Sequence, residues 1–414
     1  MLIDLAFFGP GLTLPFLNIS LRRTLFVIIL ATLVFRRLLS SRSFTTDEVA
    51  FVTLLLAFGM IWGILLPSSY GYSFSQSFAD ISPWMGLITF ALWPWNAWPT
   101  EGQWNRFCKF VIAISILLAV VHIGIWGLLV TNVISPDLFA LTANFVSSGG
   151  NGESFLVLVP LDNGQYRVFW SSSVFLLGGV YFLSVSRHSR TRKVWLAELA
   201  LVCFALGTTY IRAFLGAILI FAIIAVLHLR FYQRRTVRWP IGTILGFWLA
   251  SIISVSIAIN PAFLDAIGLA RDASDVERVE QSTALLAQFG SHPLLGSGFG
   301  SYVSNSIRGT DAPFSYELFF YALLMKLGIL GVFTLLLVLG LALKVALARK
   351  LAARRSDKFA VWLAFTTGLW FAGATNPMVT NFAGMTIVVL LLVDMRVRSS
   401  ATEDFALKTA SVRR

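Results

Sequence analysis

An apolar run from residue 194 to residue 229 constrains the fold of this chain more than any other feature of its sequence. As a single helix, these 36 residues would extend about 54 Å, which is much longer than the ~30 Å hydrocarbon core of a bilayer. A basic link lies on each side of the run, with Arg187, Arg190, Arg192 and Lys193 before it and Arg230, Arg234, Arg235 and Arg238 after it. The run therefore predicts two membrane crossings, with a turn near its centre and both links on the same side.

Similar apolar runs fill the rest of the chain. Only 13% of the 414 residues are charged, whereas a soluble domain carries about 25%. Twelve spans are predicted, at roughly 2–19, 22–39, 48–66, 78–95, 107–130, 166–184, 194–211, 213–230, 239–259, 315–346, 359–375 and 378–395. No internal repeat divides the sequence, so the prediction is an all-α polytopic membrane protein in which residues 1–414 form one membrane domain.

The charges between the spans predict the orientation. Basic residues cluster in the two links around 194–229, in the link 344–358 and in the tail, and the positive-inside rule places all of these in the cytoplasm. Residues 131–165 contain no Lys or Arg, and residues 260–314, between spans 9 and 10, contain six acidic residues against three Arg. Both loops are predicted on the outer face, with both termini in the cytoplasm. The net charge of +12 then reflects topology, and no nucleic-acid partner is predicted.

The larger outer loop contains a predicted amphipathic helix over residues 271–290. Ser274 followed by Glu277 forms a capping box, and Gly290 suits the end of a helix. A helical wheel places Val276, Val279, Leu285, Leu286 and Phe289 on one arc, with Glu277, Glu280, Gln281 and Gln288 opposite. Arg278 falls at the edge of the apolar arc and is expected to point toward the protein body. The alternative is an intrahelical ion pair with an acidic neighbour.

Residues 291–302, SHPLLGSGFGSY, follow this helix and contain three closely spaced glycines. Their spacing is G-x-G-x-G, and no Lys-Ser or Lys-Thr follows as a P-loop requires, so a nucleotide loop is not predicted. The stretch instead predicts a turn in which Pro293 ends a helix and the glycines supply positive φ or close backbone approach. His292 is either a structural residue at the helix end or a base.

Four further polar residues stand at unusual positions. Arg212 lies at the turn within 194–229, where it is either functional or an interface residue that snorkels to water. Glu317 begins a long apolar span, where it is either functional or favoured by the helix dipole. Lys326 lies roughly 13–14 Å deeper and needs a partner or a polar cavity. Asn376 precedes Pro377 in a predicted turn and is a candidate for lining a polar site.

The order of these features resembles the O-antigen ligase and O-antigen polymerase superfamily. The resemblance covers about residues 200–380, from the Arg212 turn through the Arg278 helix and HPLLGSGFGSY to the span containing KLGILG and the later TNP turn. It implies a GT-C-type glycosyltransferase of the bacterial inner membrane. Such enzymes act at the periplasmic face on glycans carried by undecaprenyl diphosphate, without a metal, a nucleotide sugar or another cofactor.

The chemistry implied by the resemblance assigns roles to the candidate residues. Arginine donates paired hydrogen bonds to phosphate and stays charged, so Arg212 and Arg278 are expected to bind the donor diphosphate. Glu317 is the expected base for the attacking sugar hydroxyl, with His292 in reserve. Arg271, Arg308, Tyr316 and Asn376 are weaker substrate-binding candidates. The partners are lipid-linked donor and acceptor glycans in the bilayer, with a chain-length regulator as a further candidate.

Three functions compete on this basis. A polymerase of O-antigen or exopolysaccharide repeat units is favoured, because ligases of the family carry a His-Asn pair where this sequence reads Ser315-Tyr316-Glu317. A ligase that transfers polysaccharide to lipid A–core is the second reading. The third is a transporter or flippase of lipid-linked oligosaccharides, which would use Arg212, Lys326 and Glu317 as a substrate pathway. Transporters often contain repeats, and none is visible.

Overall fold

The structure is a computed structural model of the 414-residue chain, and most of the chain that it describes is helical. The described residues are 13–14, 19–39, 44–92, 101–138, 156–160, 166–170, 173–186, 191–209, 211–227, 272–307, 312–347, 357–374 and 381–412. The predicted span at 239–259 lies outside these ranges. So do Arg271, Arg308 and Asn376.

The helices before residue 230 are α1 (Leu21–Leu39), α2 (Thr46–Met60), α3 (Leu66–Ser69), α4 (Phe74–Met85), α5 (Leu87–Leu92), α6 (Glu101–Val130), α7 (Val174–Val185), α8 (Arg192–Thr208) and α9 (Arg212–Leu227). Those after it are α10 (Asp272–Ser291), α11 (Phe319–Leu347), α12 (Asp357–Ala374) and α13 (Phe382–Val412). A π-helical turn, Ile61–Leu65, joins α2 to α3. The apolar run 194–229 breaks after α8 at Thr209, near its centre as predicted.

Within the described ranges, three helical segments are long and apolar enough to cross a membrane: Thr46–Ser69, Gly102–Val130 and Phe319–Leu347. Each coincides with a predicted span. Shorter apolar helices at Val174–Val185, Ala213–Ile223 and Val361–Gly373 overlap three more predicted spans. The chain is therefore a helical membrane protein, whereas the number of twelve spans and the GT-C-like architecture remain predictions.

The described chain is all-α in class, as predicted, and two short antiparallel hairpins are its only described strands. Strands β1 (Thr13–Leu14) and β2 (Ile19–Ser20) pair where the first span was predicted, so a continuous helix over 2–19 is wrong. Strand β3 (Leu156–Pro160) pairs with β4 (Tyr166–Trp170), so the helix predicted over 166–184 begins at Val174 and not at residue 166. A short apolar run fits a strand as well as a helix, which is why hydropathy alone placed both boundaries wrongly.

Helices α2 and α11 run antiparallel, and the glycine-rich stretch 291–302 lies at one end of the pair. Lys344, near the end of α11, lies 2.7 Å from the Asp47 carboxylate at the start of α2. At the other end, the indole of Trp62 donates to the carbonyl oxygen of Leu327. The predicted outer loop and the predicted cytoplasmic link at residue 344 thus lie at opposite ends of one helix pair, as the predicted orientation requires.

A buried carboxylate joins three helices of the core. Asp394 on α13 accepts hydrogen bonds from the indole of Trp104 on α6, at 2.6 Å, and from the hydroxyl of Tyr181 on α7, at 2.7 Å. All three side chains are buried. Polar groups in an apolar core are stable when they are satisfied in this way, and they fix one arrangement of the helices around them.

Candidate functional site

Helix α11 is broken at Gly328, close to the end of the α2–α11 pair where Trp62 lies. Gly328 has φ 60° and ψ −174°, a conformation that is essentially confined to glycine. The break divides α11 into a short first half ending at Leu327 and a longer second half. Each new helix end leaves backbone groups without partners inside the helix. In an apolar environment such groups must find other partners, because each one left unpaired costs several kcal/mol.

The glycine-rich stretch 291–302 supplies most of these partners. The amides of Ser297 and Gly298 donate to the carbonyl oxygens of Met325 (3.1 Å) and Lys326 (2.8 Å), at the end of the first half of α11. The carbonyl oxygens of Pro293 and Leu294 accept from the amides of Ile329 (2.9 Å) and Leu330 (3.0 Å), at the start of the second half. The stretch is therefore a loop whose backbone pairs with both ends of a broken helix.

Trp62, in the π-helical turn, joins the same two segments. Its indole nitrogen donates to the carbonyl oxygens of Leu295 (2.8 Å) in the loop and Leu327 (3.0 Å) in α11. Its own carbonyl oxygen accepts from the amide of Phe299 at 2.7 Å. π-helical turns within α-helices are frequent at functional sites. Here the turn lets one residue, buried at 4% exposure, bind the loop through both its side chain and its backbone.

The loop glycines act as the sequence predicted. Gly296, Gly298 and Gly300 all have positive φ, at 71°, 83° and 80°. A side chain on Gly296 would collide with the backbone of Lys326 and Gly328. The three glycine amides donate to the carbonyl oxygens of His292 (2.9 Å) and Lys326 (2.8 Å) and to the carboxylate of Asp80 (2.7 Å). With every glycine amide bound inside the protein, the loop offers no cradle for a phosphate.

The structure brings Arg278 and Glu317 together. The Nε atom of Arg278, on α10, lies 3.1 Å from Oε2 of Glu317, which precedes α11. The two side chains are 18% and 26% exposed, so the pair is accessible but largely surrounded by protein. The expectation that Arg278 points toward the protein body is confirmed.

The buried face of α10 differs from the predicted one. Gln281 was placed on the polar face, yet it is 3% exposed, and its side-chain oxygen accepts the amide of Leu318 at 3.1 Å. Leu285 is buried as predicted, whereas Val279 and Leu286 from the predicted apolar arc are 39% and 43% exposed. Because a buried amide that is hydrogen-bonded costs little, a polar residue can occupy a face that hydrophobicity alone would not assign to it.

Tyr316 lies inside the site and not on its surface. Its hydroxyl oxygen accepts the amide of Val303 at 2.7 Å, and the residue is 2% exposed. The pKa of the Tyr316 hydroxyl is raised to about 12, mainly by burial and also by the nearby Tyr72, Asp80 and Tyr302, against the opposing effect of the hydrogen bond from Val303. The predicted substrate contact is thus not an exposed one, and the phenol holds the loop to the segment before α11.

Lys326 has a charged partner, as a lysine inside an apolar span requires, and the sequence alone did not identify that partner as Asp80. Its Nζ atom lies 2.6 Å from the Asp80 carboxylate of α4 and donates to the carbonyl oxygen of Phe314 at 2.8 Å. Asp80 is an acidic residue within the predicted span 78–95. The criterion that singled out Lys326, a charge inside an apolar span, would have found Asp80 as well.

The remaining candidates lie around this centre or outside the described residues. His292 follows the last turns of α10 at the start of the loop, with its ring 4.6 Å from that of Tyr70 and its Nδ1 atom 3.3 Å from the Tyr70 hydroxyl. Arg212 begins α9 at the turn, and only its backbone is described. In the described part of the chain, no group of three or more His, Cys, Asp and Glu side chains is arranged to hold a metal ion.

Comparisons of the chain with family models, with curated proteins and with solved structures found no match.

Proposed function

We propose that this membrane protein is a glycosyltransferase that polymerises oligosaccharide repeat units carried on undecaprenyl diphosphate, at the outer face of the inner membrane. The observation that carries the proposal is the Arg278–Glu317 pair. It places a guanidinium and a carboxylate 3.1 Å apart in a partly exposed position beside a rigid loop. These are the two kinds of group that transfer from a sugar diphosphate needs.

The reaction breaks the bond between the anomeric carbon of the donor sugar and its diphosphate, and the bonding electrons leave with the diphosphate. A fixed cation stabilises the charge that develops there, most strongly in a site that excludes water. Arginine suits this task because its planar group donates parallel hydrogen bonds to phosphate oxygens. Arg278 takes this role in the proposal, together with Arg212. Arg271 and Arg308 are reserve candidates.

The new bond forms between the anomeric carbon and a hydroxyl of the acceptor glycan, whose proton passes to Glu317. In the structure, Glu317 is paired with Arg278. A diphosphate carries more negative charge than a carboxylate and competes for the guanidinium. Binding of the donor therefore draws Arg278 away and frees Glu317 to act as a base within hydrogen-bond reach. A single displacement of this kind inverts the anomeric centre.

The broken helix favours one competing function, because discontinuous helices often form the substrate sites of transporters. In such sites the freed backbone groups face the substrate. In this chain, the freed groups at Gly328 bind the loop and Trp62, and Lys326 is paired with Asp80. These contacts support the enzyme function, with its site on a fixed scaffold, more than they support a transport pathway through the break.

Deletion of the gene in its host, followed by examination of the surface polysaccharide, tests the proposal. If the protein is a polymerase, the deletion strain should lose long polysaccharide chains, while single repeat units still reach their final acceptor. Normal polymer retained on its lipid carrier would instead identify a ligase. Repeat units that accumulate on the cytoplasmic side would contradict both enzymes and identify the transporter.

A further inference from the structure

We propose that Asp80 and Lys326 are positioning residues that hold Glu317 in place for reaction. This inference rests on the proposed function, because it assigns to the pair a role in the turnover of that same site. Neither residue pairs directly with Arg278 or Glu317 in the structure. Their effect passes through the backbone of the segment that precedes α11.

The Asp80 carboxylate joins three parts of the chain that are distant in sequence. One oxygen, Oδ2, lies 2.6 Å from Nζ of Lys326 on α11 and accepts the amide of Gly300 in the loop at 2.7 Å. Asp80 itself belongs to α4. Hydrogen bonds to an ionised group are shorter and stronger than neutral ones, so this single oxygen ties α4, the loop and the first half of α11 together.

Lys326 extends this connection to residues 314–318, the segment that contains Glu317. Its ammonium group donates to the carbonyl oxygen of Phe314 at 2.8 Å and lies 5.6 Å from the centre of the Phe314 ring. Phe314 precedes Glu317 by three residues. The start of the segment 314–318 is therefore anchored to Asp80 through the Lys326 side chain.

The other contacts of this segment complete its restraint. The amide of Leu318 donates to the buried Gln281, and the Tyr316 hydroxyl accepts from Val303. Glu317 thus lies on a short segment that is held at both ends and in the middle. Catalytic groups need this kind of support, because a displacement of about 1 Å costs on the order of 10²-fold in rate.

The ionic character of the pair is what makes the inference testable. The Asp80 side chain is only 15% exposed and the Lys326 side chain only 7%. Removal of one charge therefore leaves the other uncompensated in a poorly hydrated place. Loss of the Lys326 ammonium also releases the Phe314 carbonyl oxygen. A purely structural pair would lower stability alone, whereas a positioning pair also changes the segment 312–318 and the turnover of each folded molecule.

The experiment compares Asp80→Asn, Lys326→Met, the double variant Asp80→Asn/Lys326→Met and the conservative Asp80→Glu in purified, lipid-reconstituted protein. The matched control is Arg37→Met, which breaks the buried Arg37–Glu48 pair between α1 and α2. Three quantities are measured: thermal stability, amide hydrogen exchange over 296–303 and 312–318, and kcat and KM on the lipid-linked repeat units isolated from the deletion strain.

Lys326→Met and Asp80→Asn are expected to speed exchange over 312–318 and to lower kcat by about tenfold or more, with KM within about threefold. The double variant removes both charges, so it should regain stability without regaining turnover. Asp80→Glu keeps the carboxylate and should regain much of the turnover. The control should lower stability alone, with wild-type exchange over 312–318 and wild-type kcat per folded molecule.

Wild-type exchange over 312–318 in both single variants, or wild-type kcat per folded molecule, would overturn the positioning role. If a single variant does not fold, the double variant decides the question by the same two measurements. Absence of polymerisation by the wild-type protein would instead overturn the proposed function. The exchange data would then still show whether Asp80 and Lys326 restrain the segment.

Discussion

Arg278 and Glu317 are 39 residues apart in the chain, yet Nε of one lies 3.1 Å from Oε2 of the other. Helix α10 carries the arginine, and the segment before α11 carries the glutamate. Between them runs the glycine-rich loop, which reverses the chain direction and binds the broken α11 through its backbone. The loop backbone therefore contributes no group to the proposed chemistry, but it brings the two candidate groups together.

Replacement of Arg278 by lysine tests the proposed diphosphate contact. Lysine keeps the positive charge but loses the planar fork that matches a phosphate, so Arg278→Lys is expected to lose most activity while expression is retained. Arg212→Lys should behave in the same way. Complementation of the deletion strain, scored by polymer length, measures both. Arg192→Lys, an exposed change at the start of α8, is the control and should keep full activity. Full activity of both Arg278→Lys and Arg212→Lys would refute the proposal that these arginines bind the diphosphate.

Replacement of Glu317 by glutamine tests the proposed base. Glutamine has nearly the same shape but does not accept the proton of the attacking hydroxyl, so kcat should fall by about 10²- to 10⁴-fold. Steady-state kinetics on lipid-linked substrate give the value. Glu280→Gln, an exposed change on α10, should leave kcat unaltered. A Glu317→Gln enzyme with near-normal kcat would assign the base elsewhere, with His292 as the next residue to examine.

Replacement of Gly296 by alanine tests the close approach between the loop and α11. The positive φ alone costs about 1–2 kcal/mol for a residue with a side chain. The new methyl group would also lie 2.5 Å from the Gly328 nitrogen. This contact is too short, and relieving it would require the backbone of α11 to move. Thermal unfolding in detergent should show a clear loss of stability. Gly290→Ala, in α10 with open space around it, should be neutral or stabilising by about 0.5–1 kcal/mol.

Replacement of Trp62 by phenylalanine tests the indole that joins the loop to α11. The change keeps an aromatic ring but removes the donor shared by Leu295 and Leu327, so it should cost about 1–3 kcal/mol in unfolding free energy. Trp126→Phe is the matched control, because the Trp126 indole nitrogen is buried and has no hydrogen-bond partner among the described residues. Equal stability losses in the two variants would show that the Trp62 hydrogen bonds contribute nothing.

The pKa of Tyr316 predicts a specific response to alkaline pH. Burial raises the pKa of this hydroxyl from 10.0 to about 12, so the folded protein holds the phenol proton more tightly than the unfolded chain does. The stability that this provides is complete below pH 10 and is lost as the pH rises from 10 toward 12. Ultraviolet difference spectra should show a tyrosine that ionises late, near pH 12, and this contribution should be lost in Tyr316→Phe. Identical ionisation curves for the two proteins would contradict the assignment.

Local sequence patterns predicted the features that depend on neighbouring residues. The length and apolarity of 194–229 required a break near its centre, and the structure has one at Thr209. The glycine spacing in 291–302 indicated a turn, and Gly296, Gly298 and Gly300 have the positive φ that the prediction requires. Each of these conclusions needs only backbone geometry or helical spacing, which is why a single sequence was enough.

The sequence did not reveal the contacts that join distant segments. Lys326 was seen to need a partner, but Asp80 belongs to another helix far away in the chain. Gln281 is buried because Leu318 offers it an amide, and no helical wheel contains that information. Strand β4 replaces the start of a predicted span because β3 is present to pair with it.

By itself, the sequence determined that the chain is apolar enough for a membrane, roughly where several of its helices lie, and that a charge inside an apolar span, such as Lys326, needs a partner. Only the tertiary structure decided that α11 breaks at Gly328 and that the loop and Trp62 satisfy the break. The physical reason is that a broken helix in an apolar environment is stable only when other segments pair with its freed backbone groups. Those partners come from wherever the fold places them, and local periodicity does not encode them.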